Sequence, residues 1–200
     1  MPATSPVKLL VISGSARQGS FNGLLARAGA RLAEAAGAEV TPVDLRALEL
    51  PVYDGDLEAA QGVPEGARRL LKLLHGHDGI LLSSPEYNSL PTPLLLNSFD
   101  WLSRLPAQDG LPSGTAVTAG KVAGILAASP GAFGGVRALP IVRQYLQNNF
   151  GMLVIPEHFA LAQAHTAFDA NGELPSEAHR KALARVVNGL VRVAAAVKTD

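Results

Sequence analysis

Apolar residues fall along this chain in two alternating rhythms. Unbroken runs stand at VKLLVIS (7–13), DGILLSS (78–84) and KVAGILAAS (121–129), the pattern of strands buried on both faces. AEVTPVDL (38–45) and GMLVIPEHFAL (151–161) are similar runs interrupted by Pro42 and Pro156. Proline has no N–H for a sheet ladder, so Pro42 suits an edge strand. Between the runs the apolar spacing becomes helical. Phe21, Leu24, Leu25, Ala28 and Leu32 share one helix face, as do Leu183, Val186, Val187, Leu190 and Val197 behind an N-cap at Ser176. Residues 66–76 and 136–150 read as further helices, with Pro140 either in the first turn of the latter or kinking it. Another helix opens on Pro91 or Pro93 and covers the stretch to residue 104. Segments 47–64 and 105–120, rich in Gly and Pro, are expected on the surface, the second long enough for a lid or an oligomer contact.

Alternating strands and helices call for a parallel sheet covered on both faces. Five strands and about five helices fit one doubly wound α/β domain over residues 1–200. Such a sheet binds ligands at the carboxyl ends of its strands, near the point where strand order reverses.

Composition narrows the chemistry. Lys plus Arg and Asp plus Glu both number 17, so charge gives no footprint for nucleic acid or an anionic membrane. The chain has no cysteine, which removes disulfides, thiol nucleophiles, iron–sulfur clusters and Cys-ligated zinc. It needs no oxidising compartment, and a cytoplasmic location is expected. The first apolar run is too short for a membrane span, and no charged segment precedes a signal-type core.

Three loops at strand ends carry the candidate chemistry. SGSARQGSFN (13–22) leaves the first strand and enters a helix, where free backbone N–H groups favour an anion. It lacks the Gly-Lys-Ser/Thr of a nucleoside triphosphate loop and the close second glycine of a dinucleotide fingerprint. Its hydroxyls and Arg17 suit a terminal monophosphate. The alternative is a turn that only caps the helix. SPEYNSLPTP (84–93) offers Tyr87 as an aromatic face and Asn88 as a polar edge for a heteroaromatic ring, or is a proline-rich turn with Tyr87 on the surface. Glu86 is either a general acid or base or a solvated carboxylate. SPGAFGGVRA (129–138) has three glycines that permit close backbone approach. In a sheet of order 2-1-3-4-5 these loops follow neighbouring strands and converge on one cleft.

GSARQGSFN, PEYNSLPTPLLLNSFDWLSR and ASPGAFGGVRA, in that order, resemble the signatures of the NADPH-dependent FMN reductase family, over roughly residues 7–165. The resemblance implies a flavodoxin-like three-layer fold with a five-stranded parallel sheet. It implies FMN as cofactor and NADPH or NADH as co-substrate, with hydride passing by flavin N5 to a quinone, free flavin, azo dye, chromate or ferric acceptor in a ping-pong cycle. Carried over by position, Ser15, Arg17, Ser20, Phe21 and Asn22 hold the flavin phosphate. Pro85, Glu86, Tyr87, Asn88 and Ser89 line the isoalloxazine, and Ser129, Gly131, Gly134 and Gly135 border its other edge. No side chain is expected to act as a catalytic acid or nucleophile. A homodimer or homotetramer is implied, with no membrane insertion. One departure stands out: the family commonly reads LKN where this chain has Leu95, Leu96 and Asn97, so an ion pair made from that lysine is absent here. The rival on the same fold is an FMN electron carrier without NAD(P)H activity. Such carriers are usually strongly acidic, and this chain is neutral.

The remaining candidates are weaker. His75 and His77 lack the spacing of a helical metal motif, and no metal is expected. No G-x-S-x-G elbow is present. Asp100 is expected to fix its helix, and Trp101 to lie in the core or a subunit interface.

Overall fold

The computed structural model describes residues 5–198; the first four residues of the N-terminal segment read above lie outside that range. Lys8–Ser13 forms β1, Glu39–Asp44 β2, Gly79–Ser83 β3, Val122–Ala128 β4 and Leu153–Leu161 β5. Every pairing is parallel and the order is β2-β1-β3-β4-β5, the flavodoxin-like arrangement expected. The helices are α1 (Phe21–Ala35), α2 (Gly55–Gln61), α3 (Glu65–His75), α4 (Pro93–Ser103), α5 (Ala138–Phe150), α6 (Ala164–Ala167) and α7 (Glu177–Val197).

Strand side chains alternate between the faces and so build two cores. Leu10, Ile12, Ile80 and Leu82 pack with Leu70, Leu74, Phe99 and Trp101 under α3, α4 and α5. Leu9, Val11 and Leu81 pack with Leu25, Leu183, Val187 and Leu190 under α1 and α7. Each fully buried Leu or Ile contributes roughly 1.5–3 kcal/mol. β3 and β4 are buried at every position, which explains their unbroken apolar runs. β2 is an edge strand that buries only Val43, and Pro42 lies opposite Val11. Around Pro156, β5 bulges between the Ala123 and Ile125 registers. Arg143 covers the freed carbonyls there, donating to Val154, Ile155 and Pro156 at 3.0, 2.6 and 3.2 Å.

Several expectations sharpen. α4 starts at Pro93 behind an N-cap at Thr92, and Pro140 sits in the first turn of α5. The α7 stripe ends early: Ala194 is buried, whereas Val197 is 40% exposed. Segment 47–64 is not a plain surface loop. It holds a 3-10 turn (Leu45–Leu48 runs into it) and α2, which buries no residue and is capped by Asp54. α4 clips this segment in place. Asn97 accepts from the Tyr53 amide and donates to the Pro51 carbonyl, both at 2.8 Å, and Trp101 donates to that carbonyl at 2.7 Å. Trp101 is fully buried, as a core residue. Segment 105–120 is no lid. It joins the far end of α4 to the start of β4, at the opposite end of the sheet from the strand-end loops. Both its ends are anchored, with Leu105 and Val117 buried and Thr118 donating to the Phe150 carbonyl at 2.8 Å.

Candidate functional site

Parallel pairing puts the ends of β1, β3 and β4 side by side, so the loops 14–20, 84–92 and 129–137 leave from one edge. A network of hydrogen bonds locks them together. The Gly14 amide donates to the Ser83 carbonyl at 2.9 Å, and the Gly14 carbonyl accepts from the Thr92 hydroxyl at 2.7 Å. Thr92 also caps α4, so one side chain starts a helix and fixes the first loop.

Asn22 is the centre of that network. It is 3% exposed and lies in the first turn of α1. Its Nδ2 donates to the Ala128 carbonyl at 2.8 Å. Its Oδ1 accepts from the Ala128 amide and from the Ser83 hydroxyl, both at 3.0 Å. The amide therefore knots α1 to the ends of β3 and β4.

In the first loop, Ser20 caps α1 by accepting from the Gly23 amide at 2.9 Å. Its hydroxyl hydrogen stays available for donation. Ser15 accepts from the Arg17 amide at 3.3 Å. Arg17 is exposed, sits 5.4 Å from the Phe21 ring and makes no ion pair among the described residues. Gly19 takes a φ of 64° with no atom near a would-be Cβ, so the turn itself requires glycine there.

In the second loop, Tyr87 and Leu90 exchange backbone hydrogen bonds at 2.9 and 3.0 Å around Asn88 and Ser89. Those two residues have φ of 52° and 70°, a type I′ turn. Neither is glycine, so the tip carries backbone strain at an exposed place beside the cleft. Tyr87 and Leu90 are 50% and 52% exposed. Glu86 is neither solvated nor free for acid–base work. Its carboxylate accepts from the Arg137 amide at 2.9 Å, the Ala138 amide at 3.2 Å and Arg137 Nε at 2.7 Å. It thereby supplies the missing side-chain cap of α5 and joins the second loop to the third.

In the third loop, Gly134 and Gly135 are buried. A Cβ at Gly134 would stand 2.7 Å from the Ala162 nitrogen, and one at Gly135 3.0 Å from Ala127 Cβ. Packing inside the protein requires both glycines. Gly131 differs: it is exposed and meets only Ser129 Oγ, at 3.6 Å, so no protein neighbour demands glycine there.

A cleft of about 190 Å³ opens where the loops meet. It gathers Ser15, Arg17, Ser20, Phe21 and Asn22 from the first loop and helix, Pro85, Glu86 and Tyr87 from the second, and Ser129 from the third. Ala128 and Pro130 complete its lining, unforeseen from sequence. Asn88, Ser89, Gly131, Gly134 and Gly135 stand outside that lining, on the loops that border it. Thr92 was not singled out in the sequence, although a threonine directly before Pro93 is the signal that could have found it. Arg137 left no signal, because its partner Glu86 lies in a different loop. Of the histidines, His77 has both ring nitrogens engaged, with the Leu73 carbonyl at 2.6 Å and the Thr41 hydroxyl at 2.9 Å.

Known proteins resemble the chain in both sequence and fold. The profile of the NADPH-dependent FMN reductase family matches residues 7–166. A quinone reductase of Escherichia coli is 36% identical over 140 residues, covering 70% of this chain and 69% of that one. An NAD(P)H-dependent FMN reductase of Pseudomonas aeruginosa is 34% identical over 188 residues, 92% of this chain and 93% of its own. Among solved structures, the flavoenzyme NAD(P)H:(acceptor) oxidoreductase FerB of Paracoccus denitrificans superposes with a TM-score of 0.75 at 28% identity, covering 94% of this chain and 97% of that one.

Proposed function

Because the chain belongs to the NADPH-dependent FMN reductase family, an oxidoreductase family that uses FMN, we propose that it is an NAD(P)H:quinone reductase with FMN at the three-loop cleft. The observation that carries this reading is the convergence of Arg17, the hydroxyls of Ser15 and Ser20 and the opening turn of α1 on one cleft beside Tyr87. Unpaired first-turn amides and a free guanidinium suit a phosphate dianion. Phe21 under Arg17 keeps that guanidinium over the loop. Asn22 contributes by holding the loop, since one amide hydrogen at most is left for a ligand.

Pro85, Tyr87 and Ser129 wall the position for the isoalloxazine, with Asn88 and Ser89 at the hairpin tip. Gly131 lets backbone come close to a planar group, while Gly134 and Gly135 hold the loop in shape. FMN, when bound, supplies the chemistry, taking hydride from the nicotinamide and passing the electron pair to the acceptor. The chain's part is to bind, orient and exclude water. Glu86, held by two backbone amides and a guanidinium, serves to hold the second and third loops together. Exposed Tyr87, Leu90, Phe133 and Val136 give the loops an apolar rim that suits quinones. Nicotinamide and acceptor use the same open side in turn, a ping-pong cycle. The same reading makes residues 1–200 one FMN-binding unit, working in the cytoplasm as a homodimer or homotetramer.

The test is spectroscopic and kinetic. The purified protein, given FMN, is expected to show a bound-flavin visible spectrum and to oxidise NAD(P)H with menadione. Arg17→Ala is expected to weaken FMN binding by roughly ten- to a hundredfold. A protein that binds FMN but leaves NAD(P)H unoxidised would be an electron carrier. Unchanged FMN affinity in Arg17→Ala would overturn the phosphate assignment.

A further inference from the structure

Among the described residues that line the three-loop cleft, Glu86 is the one acidic residue. Its side chain is 6% exposed, so little water screens its charge. The charge is answered by Arg137, which is not among the lining residues and whose side chain is 58% exposed. Arg137 Nε donates to Glu86 Oε1 at 2.7 Å, and Nη2 reaches the same oxygen. Oε2 accepts from the Arg137 and Ala138 amides, at 2.9 and 3.2 Å. Arg137 ends the third loop and stands directly before α5, so this carboxylate of the second loop takes its counter-charge from another loop.

A second contact steadies the guanidinium. Arg137 Cζ lies 5.4 Å from the ring of Phe133, four residues earlier. Arg17 Cζ lies at the same distance from the ring of Phe21, four residues later. The first and third loops thus each carry an arginine held over a phenylalanine. The two differ in one respect: Arg17 makes no ion pair among the described residues, whereas Arg137 is engaged by Glu86. Arg17 offers its charge to a ligand, and Arg137 cancels a charge that the ligand would otherwise meet.

A buried carboxylate beside a ligand favours whichever form of that ligand carries less negative charge. A flavin ring that has taken up hydride carries one negative charge more than before. Unpaired, Glu86 would oppose that form; paired, it does not. We propose that Arg137 is a positioning residue that sets the preference of the cleft for reduced over oxidised FMN, acting through Glu86. The proposal rests on the flavoenzyme reading above for the identity of the ligand. The same pair also ties the second loop to the third, and the two roles leave different marks. A broken tether acts alike whichever partner is removed, whereas a lost charge acts with opposite sign for the two partners.

Anaerobic redox titration of the FMN-loaded protein against a reference dye tests it, with oxidised-FMN affinity read from fluorescence quenching. Arg137→Met is expected to lower the ratio of reduced to oxidised FMN affinity by about fivefold, a downward shift of about 20 mV for a two-electron couple. Glu86→Gln keeps an oxygen for the α5 amides and is expected to raise the ratio by about as much. The double variant should return to within about twofold of the wild type. Arg137→Lys keeps the charge and should recover most of the loss. Circular dichroism checks that each variant is folded. If Glu86→Gln does not fold, a ratio lowered in Arg137→Met and kept in Arg137→Lys upholds the role, and an equal ratio in the two overturns it. Single variants that move the ratio in the same direction reveal a tether alone and overturn the proposal. A wild type that takes up no FMN sinks the flavoenzyme reading and this role with it. A wild type that binds FMN, with the ratio unmoved in Arg137→Met, overturns this role alone.

Discussion

Asn22 sits at the start of a helix, yet its side chain closes hydrogen bonds to the ends of two strands. Removing it leaves the Ala128 amide and carbonyl and the Ser83 hydroxyl without that partner in a buried place. Unsatisfied buried groups of this kind cost about 1–3 kcal/mol each, with partial relief from relaxation. Asn22→Ala is therefore expected to lose about 3 kcal/mol of stability, read from the urea midpoint by tryptophan fluorescence. FMN affinity should fall with it, because the loops lose their common tether. If stability holds and only FMN affinity falls, Asn22 acts on the ligand directly and the knot is energetically idle. Glu86 teaches the same lesson. A loop carboxylate in the sequence becomes, in the fold, the cap of α5.

At the scale of elements, the junction of α3, β3 and β4 makes a pH-dependent contribution. Lys121, just before β4, donates from Nζ to the carbonyls of His77 and, at 3.5 Å, His75. Burial lowers its pKa from the ordinary 10.5, and the Asp78 charge partly opposes that. In the window below 10.5 the unfolded chain therefore holds more protons than the folded one, so stability attributable to Lys121 rises with pH there. Urea unfolding between about pH 8 and pH 10 should show this rise in the wild type and a flatter profile in Lys121→Met. A parallel pair of profiles would contradict it. The strands themselves were legible because β1, β3 and β4 are buried on both faces and read as continuous apolar runs. Pro42 marked an edge and Ser176 a helix start for local steric reasons. α2 was not legible: Leu57 is its one large apolar residue, and no periodicity forms around it. Segment 105–120 lies largely on the surface as read, but that it is no lid was not legible, because its anchors, Thr118 to Phe150 among them, join places far apart in sequence. The three site loops were recognisable as motifs, whereas their bonds to one another were not.

For the whole molecule, charge balance and the buried Trp101 offer a simple probe. The chain has one tryptophan, and it is fully buried, so its fluorescence follows global unfolding. A ligand that binds only the folded state adds about 2.7 kcal/mol of stability at a hundred times its Kd. For a chain of this size, FMN at that excess should raise the midpoint of thermal unfolding by roughly 5–10 °C. No rise would mean that the folded protein does not bind FMN at those concentrations. No helix among the described residues is long and apolar enough to cross a membrane. The Asn22 knot also has a historical consequence. It ties down the buried root of the cleft and leaves the hairpin tip at Tyr87–Leu90 outside the tether. A substitution at the root is expected to register first as lost stability, whereas one at the exposed side chains of Tyr87 or Leu90 is expected to leave stability nearly unchanged. Sequence change that the fold can absorb is therefore expected at the rim before the root.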